Sequence, residues 1–186
     1  MKRHIFMLSV LLFSTIEAVA QNTTKTLKLQ GLEMKEAMNE DGTALIQRPY
    51  RWFAGIGKAD DEGLAVEMAQ LEAYATVSRV IENVVKAQAK RGAISDNGIV
   101  QKALQSYWEQ KSSSIQKACE PFGDTEVTFN SETGMYEAVA KVGIRGDRYI
   151  KLLGEAKDAK PEGLTGNDLK QFIETNNAII DAAKGN

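Results

Sequence analysis

Histidine is almost missing from this chain, and its one occurrence lies in a segment that we expect to be removed. His4 stands between a basic start and an apolar run over residues 5–16, and a small-x-small triplet typical of signal-peptide cleavage ends at Ala20. A run of about a dozen residues is too short to cross a ~30 Å hydrocarbon core as a helix. The pattern therefore predicts export, with cleavage after Ala20. The mature chain would then have no histidine for acid–base catalysis or metal ligation.

Cysteine is scarce as well, because Cys119 is the only one in the chain. A single cysteine excludes an intrachain disulfide in the oxidising compartment that export implies. Gln21 occupies the position where a lipoprotein would carry its lipid-bearing cysteine, so we expect no lipid anchor. An intermolecular bridge or a reactive thiol is an alternative for Cys119, but a lone cysteine is more often a small buried hydrophobic residue.

Basic runs and long apolar runs are both absent after the first 20 residues. The chain has 23 Lys and Arg against 25 Asp and Glu, a formal net charge of −2. A nucleic-acid partner is not expected, since phosphate-backbone binding needs a clustered positive charge. A transmembrane segment is not expected in the mature chain either.

What is present predicts one α+β domain with extensions at both ends. The expected sheet is small and antiparallel, with three to four strands, and two long helices cover one of its faces. The predicted order along the chain is a signal peptide (1–20), an N-terminal arm (21–48), an α+β domain (49–155), a linker (156–163) and a C-terminal amphipathic helix (164–186).

Hydrophobic periodicity places the elements within this domain. An aromatic stretch over 49–57 and a strictly alternating stretch over 135–144 predict two strands that pair with each other. Apolar residues at intervals of four predict a long helix over 63–91, and a similar face predicts a second helix over 99–118. The apolar side of the last helix either packs back on the domain or is offered to a partner.

The order of these features resembles the twenty-kilodalton envelope lipoprotein family, and the N-terminal domain of the flagellar T-ring protein is similar in layout. The resemblance covers about residues 49–155 and implies an exported α+β domain without established catalytic residues. The residues that carry it are Trp52-Phe53-Ala54-Gly55-Ile56-Gly57, then Ala65, Ala69 and Ala73, and later Met135-Tyr136-Glu137-Ala138-Val139-Ala140-Lys141-Val142. The family's lipid-bearing cysteine is absent here.

Gly55 and Gly57 before a helix are similar to a dinucleotide-binding loop, but the third glycine of that fingerprint is replaced by Asp60. We expect instead that the two glycines allow close helix packing. Carboxylates at 60–62 are expected to cap the helix rather than bind calcium, because consecutive helical residues point about 100° apart. Neither a cofactor nor a metal is expected.

A hydrolase that uses paired carboxylates needs no histidine, so Asp60, Asp61 and Glu82 remain candidates for that alternative. The serines at 112–114 have no histidine base and are expected on a solvated helix flank. The tripeptide 145–147 spells a cell-adhesion motif, but Asp147 is expected to cap the helix that follows it. No catalytic residue is therefore assigned.

Four aromatic residues are the candidate ligand or partner surface. Trp52 and Phe53 lie on a predicted strand, and Tyr107 and Trp108 lie on a predicted helix face. Such residues are more often core than pocket. We expect a non-enzymatic cell-envelope protein that acts as an interaction or assembly module, with an envelope protein or a second copy as its partner. The alternatives are a small-ligand-binding envelope protein and a carboxylate-based hydrolase.

Overall fold

The structure is a computed structural model that describes residues 28–39, 41–91 and 97–185. The expected signal segment (1–20) and residues 21–27 of the expected N-terminal arm lie outside the described residues. The strands are β1 (Gln30–Met38), β2 (Leu45–Ala59), β3 (Glu120–Pro121), β4 (Glu126–Asn130) and β5 (Met135–Arg145). The helices are α1 (Glu62–Arg91), α2 (Gly98–Lys117), α3 (Gly146–Gly154) and α4 (Gly166–Gly185). The predicted α+β class is confirmed.

The five strands form one antiparallel sheet in the order β1-β2-β5-β3, with β4 also paired to β5. The predicted pairing of the first aromatic strand with the alternating strand is confirmed, since Phe53 lies opposite Val142. The side chains of Phe53 and Val142 are both buried. A side-chain period of two places every second residue of β5 on the helix-covered face.

Small residues bring α1 very close to the sheet. A Cβ atom built on Gly55 would lie 2.1 Å from the backbone nitrogen of Ala73, and one on Gly57 would lie 2.0 Å from the backbone oxygen of Ala65. The alanine stripe of α1, including Ala69, is fully buried against these glycines. The expectation that the two glycines allow close helix packing is confirmed.

The remaining helices complete one hydrophobic core with α1 and the sheet. Phe172 and Ile179 of α4 are fully buried beside Leu104 and Trp108 of α2. Of the two alternatives for the last helix, the structure therefore supports the one in which it packs back on the domain. Its apolar face is not open to a partner.

The segment expected as an N-terminal arm contributes strands to the sheet. β1 and the first part of β2 form a hairpin closed by a turn in which Asn39 Oδ1 accepts hydrogen bonds from the backbone nitrogens of Thr43, at 2.8 Å, and Ala44, at 3.3 Å. Gly42 in this turn has a φ of +67°, which favours glycine. The sheet thus extends well beyond the strand start predicted at residue 49.

Candidate functional site

The four candidate aromatic residues do not share one surface. Trp108 is 2% exposed in the core, where its indole N–H donates a 3.0 Å hydrogen bond to Asn176. Phe53 is fully buried on the helix-covered face of the sheet. Trp52 lies on the opposite face, because successive side chains of a strand point to opposite sides. A cavity shared by Trp52 and Trp108 is therefore not possible.

Tyr107 is half-buried at the margin of the core. Its ring makes edge contacts with Trp108 and Phe172, each with ring centroids 6.1 Å apart. Burial, with a smaller contribution from the Glu155 carboxylate, raises the pKa of the Tyr107 hydroxyl. These contacts give Tyr107 a packing role.

Trp52 is enclosed by its own neighbours on the outer face of the sheet. Gly31 lies beneath its ring, since a Cβ on Gly31 would be 2.6 Å from that ring. The ammonium of Lys141 lies 5.1 Å from the indole centroid. Beside this pair, Tyr50 contacts the buried Phe122 with ring centroids 5.5 Å apart. Cation–π and aromatic contacts thus cover the face that helices leave open.

Glu82 is not brought together with Asp60 and Asp61, the other carboxylates considered for hydrolysis. Asp61 Oδ1 accepts a 2.8 Å hydrogen bond from the backbone nitrogen of Leu64 and so caps α1, as expected. Glu82 pairs with Lys86 at 2.5 Å. At about 1.5 Å per residue, the helix separates Asp61 and Glu82 by roughly 30 Å. They cannot act on one bond.

The adhesion-like tripeptide is occupied by internal contacts. Arg145 binds both oxygens of Asp147, at 3.1 and 3.0 Å, and Arg48 lies 3.6 Å from the same carboxylate. The N-cap residue of α3 is Arg145, and its side chain makes no capping hydrogen bond. Asp147 instead lies in the first turn and accepts a 2.7 Å hydrogen bond from the backbone nitrogen of Arg148. The prediction that Asp147 is the N-cap of α3 is therefore wrong, since the N-cap lies two residues earlier, at Arg145.

Cys119 is a buried free thiol, in agreement with the small-hydrophobe interpretation. Its sulfur lies 3.3 Å from the carbonyl oxygen of Ile115. Burial raises the pKa of the thiol to about 12, with Arg148 lowering it and Glu120 raising it by smaller amounts. A thiol with this pKa stays protonated and unreactive at neutral pH.

One side of the β1–β2 hairpin is uncovered. We call its exposed apolar side chains the hairpin surface: Leu32, Met34, Met38, Leu45 and Pro49. Leu32 lies opposite Arg51, Met34 opposite Pro49 and Met38 opposite Leu45. Helices α1 and α3 pack on β2 and β5, whereas no described helix packs extensively on β1. Most of the hairpin surface lies in the segment expected as an N-terminal arm, but the sequence did not predict that these side chains form one face of a hairpin.

A groove continues from the hairpin surface towards α3. Its volume is about 670 Å³. The hairpin, α3 and the end of α4 supply its lining, which is Leu32, Pro49, Arg51, Gly146, Asp147, Tyr149, Ile150, Lys151 and Lys184. We call this the Arg51 groove. The lining has a net positive charge, because it contains Arg51, Lys151 and Lys184 but only one carboxylate, that of Asp147.

Arg51 lies at the buried end of this groove. It is 3% exposed, and its guanidinium carbon lies 4.7 Å from the centroid of the Tyr149 ring. Within the described chain it has no hydrogen bond or ion pair. Burial raises the pKa of Tyr149, and the neighbouring Arg51 opposes that shift. The sequence did carry a signal here, since an arginine stands inside an otherwise aromatic strand.

A second cavity, of about 710 Å³, lies beyond Lys151 at the end of β5. Its lining includes Glu120 and Asp147 as well as Arg145 and Arg148. With Lys151, three cations and two carboxylates are mixed in this lining.

The described residues hold no group of three or more cysteine, histidine or acidic side chains that could bind a metal ion. Among their helices, none has the length and apolar character needed to cross a membrane. The chain matches no family model, no curated protein and no solved structure.

Proposed function

We propose that this chain is an exported, non-enzymatic protein of the bacterial cell envelope that acts as an interaction or assembly module. The observation that carries the proposal is the hairpin surface. Leu32 is 67% exposed and Met34 is 57% exposed, and both lie on a regular strand rather than in a loop. Contiguous exposed apolar side chains of this kind are typical of protein contact sites.

The position of β1 adds backbone groups to that surface. β1 is the end strand of the sheet, and it is nine residues long. An end strand presents unpaired N–H and C=O groups that can pair with a strand of another chain. We infer that a partner protein, or a second copy, adds a strand along β1 and covers the hairpin surface with apolar side chains.

The separation of the acidic residues favours binding over catalysis. Hydrolysis by carboxylates requires two groups within about 10 Å of each other across one substrate bond. Asp61 and Glu82 are far apart on one helix, and each has a structural partner. The proposal therefore assigns no catalytic residue.

Site-directed photo-crosslinking in the native envelope tests the proposal. A photoreactive residue at position 34 should give one dominant product, with an envelope protein or with a second copy, whose mass identifies the partner. The same residue at position 70, exposed on α1, should give none. Equal products from both positions would contradict a specific contact.

A matched pair of variants then separates contact from folding. Leu32→Ser should abolish the crosslink at position 34, whereas Leu71→Ser should preserve it. Leu32 and Leu71 are 67% and 64% exposed, so neither change should unfold the domain, and circular dichroism checks this. Loss of the crosslink in both variants would argue against the hairpin surface.

The expected export has its own test. The intact mass of the protein purified from the envelope fraction should correspond to a chain that begins at Gln21. A full-length mass in the cytoplasmic fraction would contradict this part of the proposal.

A further inference from the structure

We propose that the Arg51 groove binds a carboxylate at the end of an apolar alkyl chain, as in a fatty acid, with Arg51 as the group that receives the carboxylate. This inference does not depend on the proposed protein contact. The juxtaposition that supports it is a buried arginine without an anionic partner at the end of an apolar, solvent-open groove.

The first argument is the state of Arg51. A guanidinium has five N–H donors. Arg51 is 3% exposed. Within the described chain, the interaction partner of its guanidinium is the face of the Tyr149 ring. The Tyr149 hydroxyl is directed elsewhere, since it donates to the carbonyl of Ala183 at 3.3 Å. The donors of Arg51 are therefore available to a ligand that enters the groove.

The second argument is energetic. Burying an unpaired charge is unfavourable, and arginines in protein interiors are almost always paired. An apolar residue would fill the space under Tyr149 at lower cost. A ligand carboxylate would instead accept two parallel N–H bonds from Arg51, which is the strongest geometry for this pair.

The third argument is that no internal carboxylate competes for Arg51. Asp147, the acidic residue of the lining, is already bound by both Arg145 and Arg48. Lys151 and Lys184 add positive charge to the lining. The electrostatics of the groove therefore favour an anion over a neutral or cationic head group.

The fourth argument concerns the rest of the ligand. Leu32, Pro49 and Ile150 supply apolar walls, and the lining includes no serine, threonine, asparagine or glutamine. Such walls offer a polar ligand few hydrogen-bonding partners apart from the charged groups. An alkyl chain needs no such partners, and about 670 Å³ lies within the usual size range of small-molecule sites.

Calorimetry with four simple probes tests the proposal. The probes are dodecanoate, dodecyl phosphate and dodecyltrimethylammonium, each below its micelle concentration, and acetate. Dodecanoate should bind with one site per chain. The cationic probe and acetate should bind at least tenfold more weakly, because the first lacks the charge and the second lacks the chain. Tighter binding of the phosphate would overturn the carboxylate assignment.

Variants assign the binding to Arg51. Arg51→Met should weaken dodecanoate binding about ten- to a hundredfold, as expected for a lost charge-assisted pair. The melting temperature without ligand should stay equal or rise, since an unpaired buried charge is removed. Lys58→Met is the matched control, because Lys58 is a β2 cation on the opposite face that pairs with Glu137 at 2.6 Å. It should bind dodecanoate as the wild type does.

A purely structural role for Arg51 gives the opposite pattern. Arg51→Met would then lower the melting temperature and leave the affinity unchanged, and this result would overturn the proposal. If Arg51→Met does not fold, Ile150→Asp provides a second test, because Ile150 is 44% exposed. It should weaken dodecanoate binding at least tenfold, whereas Leu71→Asp should not. Equal binding in those two variants would also overturn the proposal.

Discussion

Gly55 and Gly57 show how two residues without side chains determine the position of the longest helix. The atoms that a Cβ would meet at these positions belong mostly to the backbone of α1, at residues 65, 69, 72 and 73. Backbone atoms of a helix cannot move aside individually, unlike the end of a flexible side chain. The Gly-x-Gly pattern therefore serves contact between helix and sheet, and no phosphate site is needed to explain it.

Substitution of Gly55 by alanine should be strongly destabilising. A Cβ at 2.1 Å from a backbone nitrogen of α1 forces the helix away from the sheet. We expect the free energy of unfolding to fall by about 3 kcal/mol or more, at the upper end of overpacking costs. Urea unfolding followed by circular dichroism measures this change.

Gly154→Ala is the control for that substitution. Gly154 is the last residue of α3, and no atom lies within 4 Å of a Cβ built there. Alanine should change the free energy of unfolding by less than about 1 kcal/mol, in the stabilising direction. Equal losses in both variants would mean that contact with α1 is not the cause.

The thiol of Cys119 should make the free energy of unfolding vary with pH in the alkaline range. Its pKa is raised from 9.0 to about 12 by burial, so the folded chain keeps this proton to a higher pH than the unfolded chain does. Its contribution to stability is therefore complete below pH 9 and is lost as the pH rises towards 12. One such group lowers the free energy of unfolding by up to about 1.4 kcal/mol per pH unit. Urea unfolding between pH 8 and pH 10 tests this slope.

Cys119→Ala provides the comparison. It should be less stable than the wild type at neutral pH, because a buried side chain is shortened. Its stability should be flatter between pH 9 and pH 10, where Tyr149 and Tyr107 add only a smaller slope, because in the unfolded chain they ionise around their ordinary pKa of 10.0. An unchanged slope in this variant would show that another group is responsible.

At the scale of elements, Asn176 joins three parts of the helical layer. It is 1% exposed in α4, accepts the Trp108 indole N–H of α2 at 3.0 Å, and donates to the carbonyl of Ala156 after α3 at 2.6 Å. A buried amide with both ends bonded fixes the relative positions of the elements that it joins.

Asn176→Ala should remove both contacts and leave two buried polar groups without partners. Each orphaned group costs about 1–3 kcal/mol, so the free energy of unfolding should fall by roughly 2–5 kcal/mol. Chemical denaturation followed by tryptophan fluorescence measures the loss. Asn177→Ala is the control, because the side chain of Asn177 has no hydrogen bond within the described chain, and it should cost under about 1 kcal/mol. Similar losses would contradict the role of the amide.

The elements that sequence analysis predicted well are those in which local pattern and burial agree. The alanine stripe of α1 repeats every four residues, and the apolar residues of β5 repeat every two. In each element the face that carries these residues is buried. β1 lies in the segment that the sequence predicts only as an N-terminal arm (21–48). Leu32, Met34 and Met38 share one face of β1, but Glu36 interrupts that face and no described helix packs extensively on it, so the pattern is weaker than that of β5.

The candidate site was harder to predict, since it depends on contacts between distant segments. Trp52 and Phe53 are neighbours in sequence but lie on opposite faces of the sheet, so grouping them was misleading. Arg51, Ile150 and Lys184 come from β2, α3 and α4 and meet only in the folded chain. Contacts between segments so far apart in the sequence leave no local pattern that could predict them. The one local signal is Arg51 itself, a charged residue within an aromatic strand.

At the scale of the whole molecule, α4 belongs to the same core as the sheet and the other helices. One continuous cluster of buried residues includes Phe53 of β2, Val77 of α1, Leu104 of α2, Leu153 of α3 and Ile179 of α4. A helix that shares its buried surface with every other layer cannot detach without exposing that core. We therefore expect one cooperative unfolding transition rather than separate release of the C-terminal helix.

Ile179→Ala tests this cooperativity, and Ile99→Ala is its chemically matched control. Ile179 is fully buried, so its truncation should cost about 2–5 kcal/mol, whereas Ile99 is 64% exposed and should cost under about 1 kcal/mol. In a Trp52→Phe background, Trp108 alone reports on the contact between α2 and α4, while circular dichroism reports on all helices. Both signals should move to the same lower urea midpoint in Ile179→Ala. A transition at lower urea concentration seen only by Trp108 would show that α4 unfolds independently. This is the behaviour of a helix that packs on a domain that is stable without it.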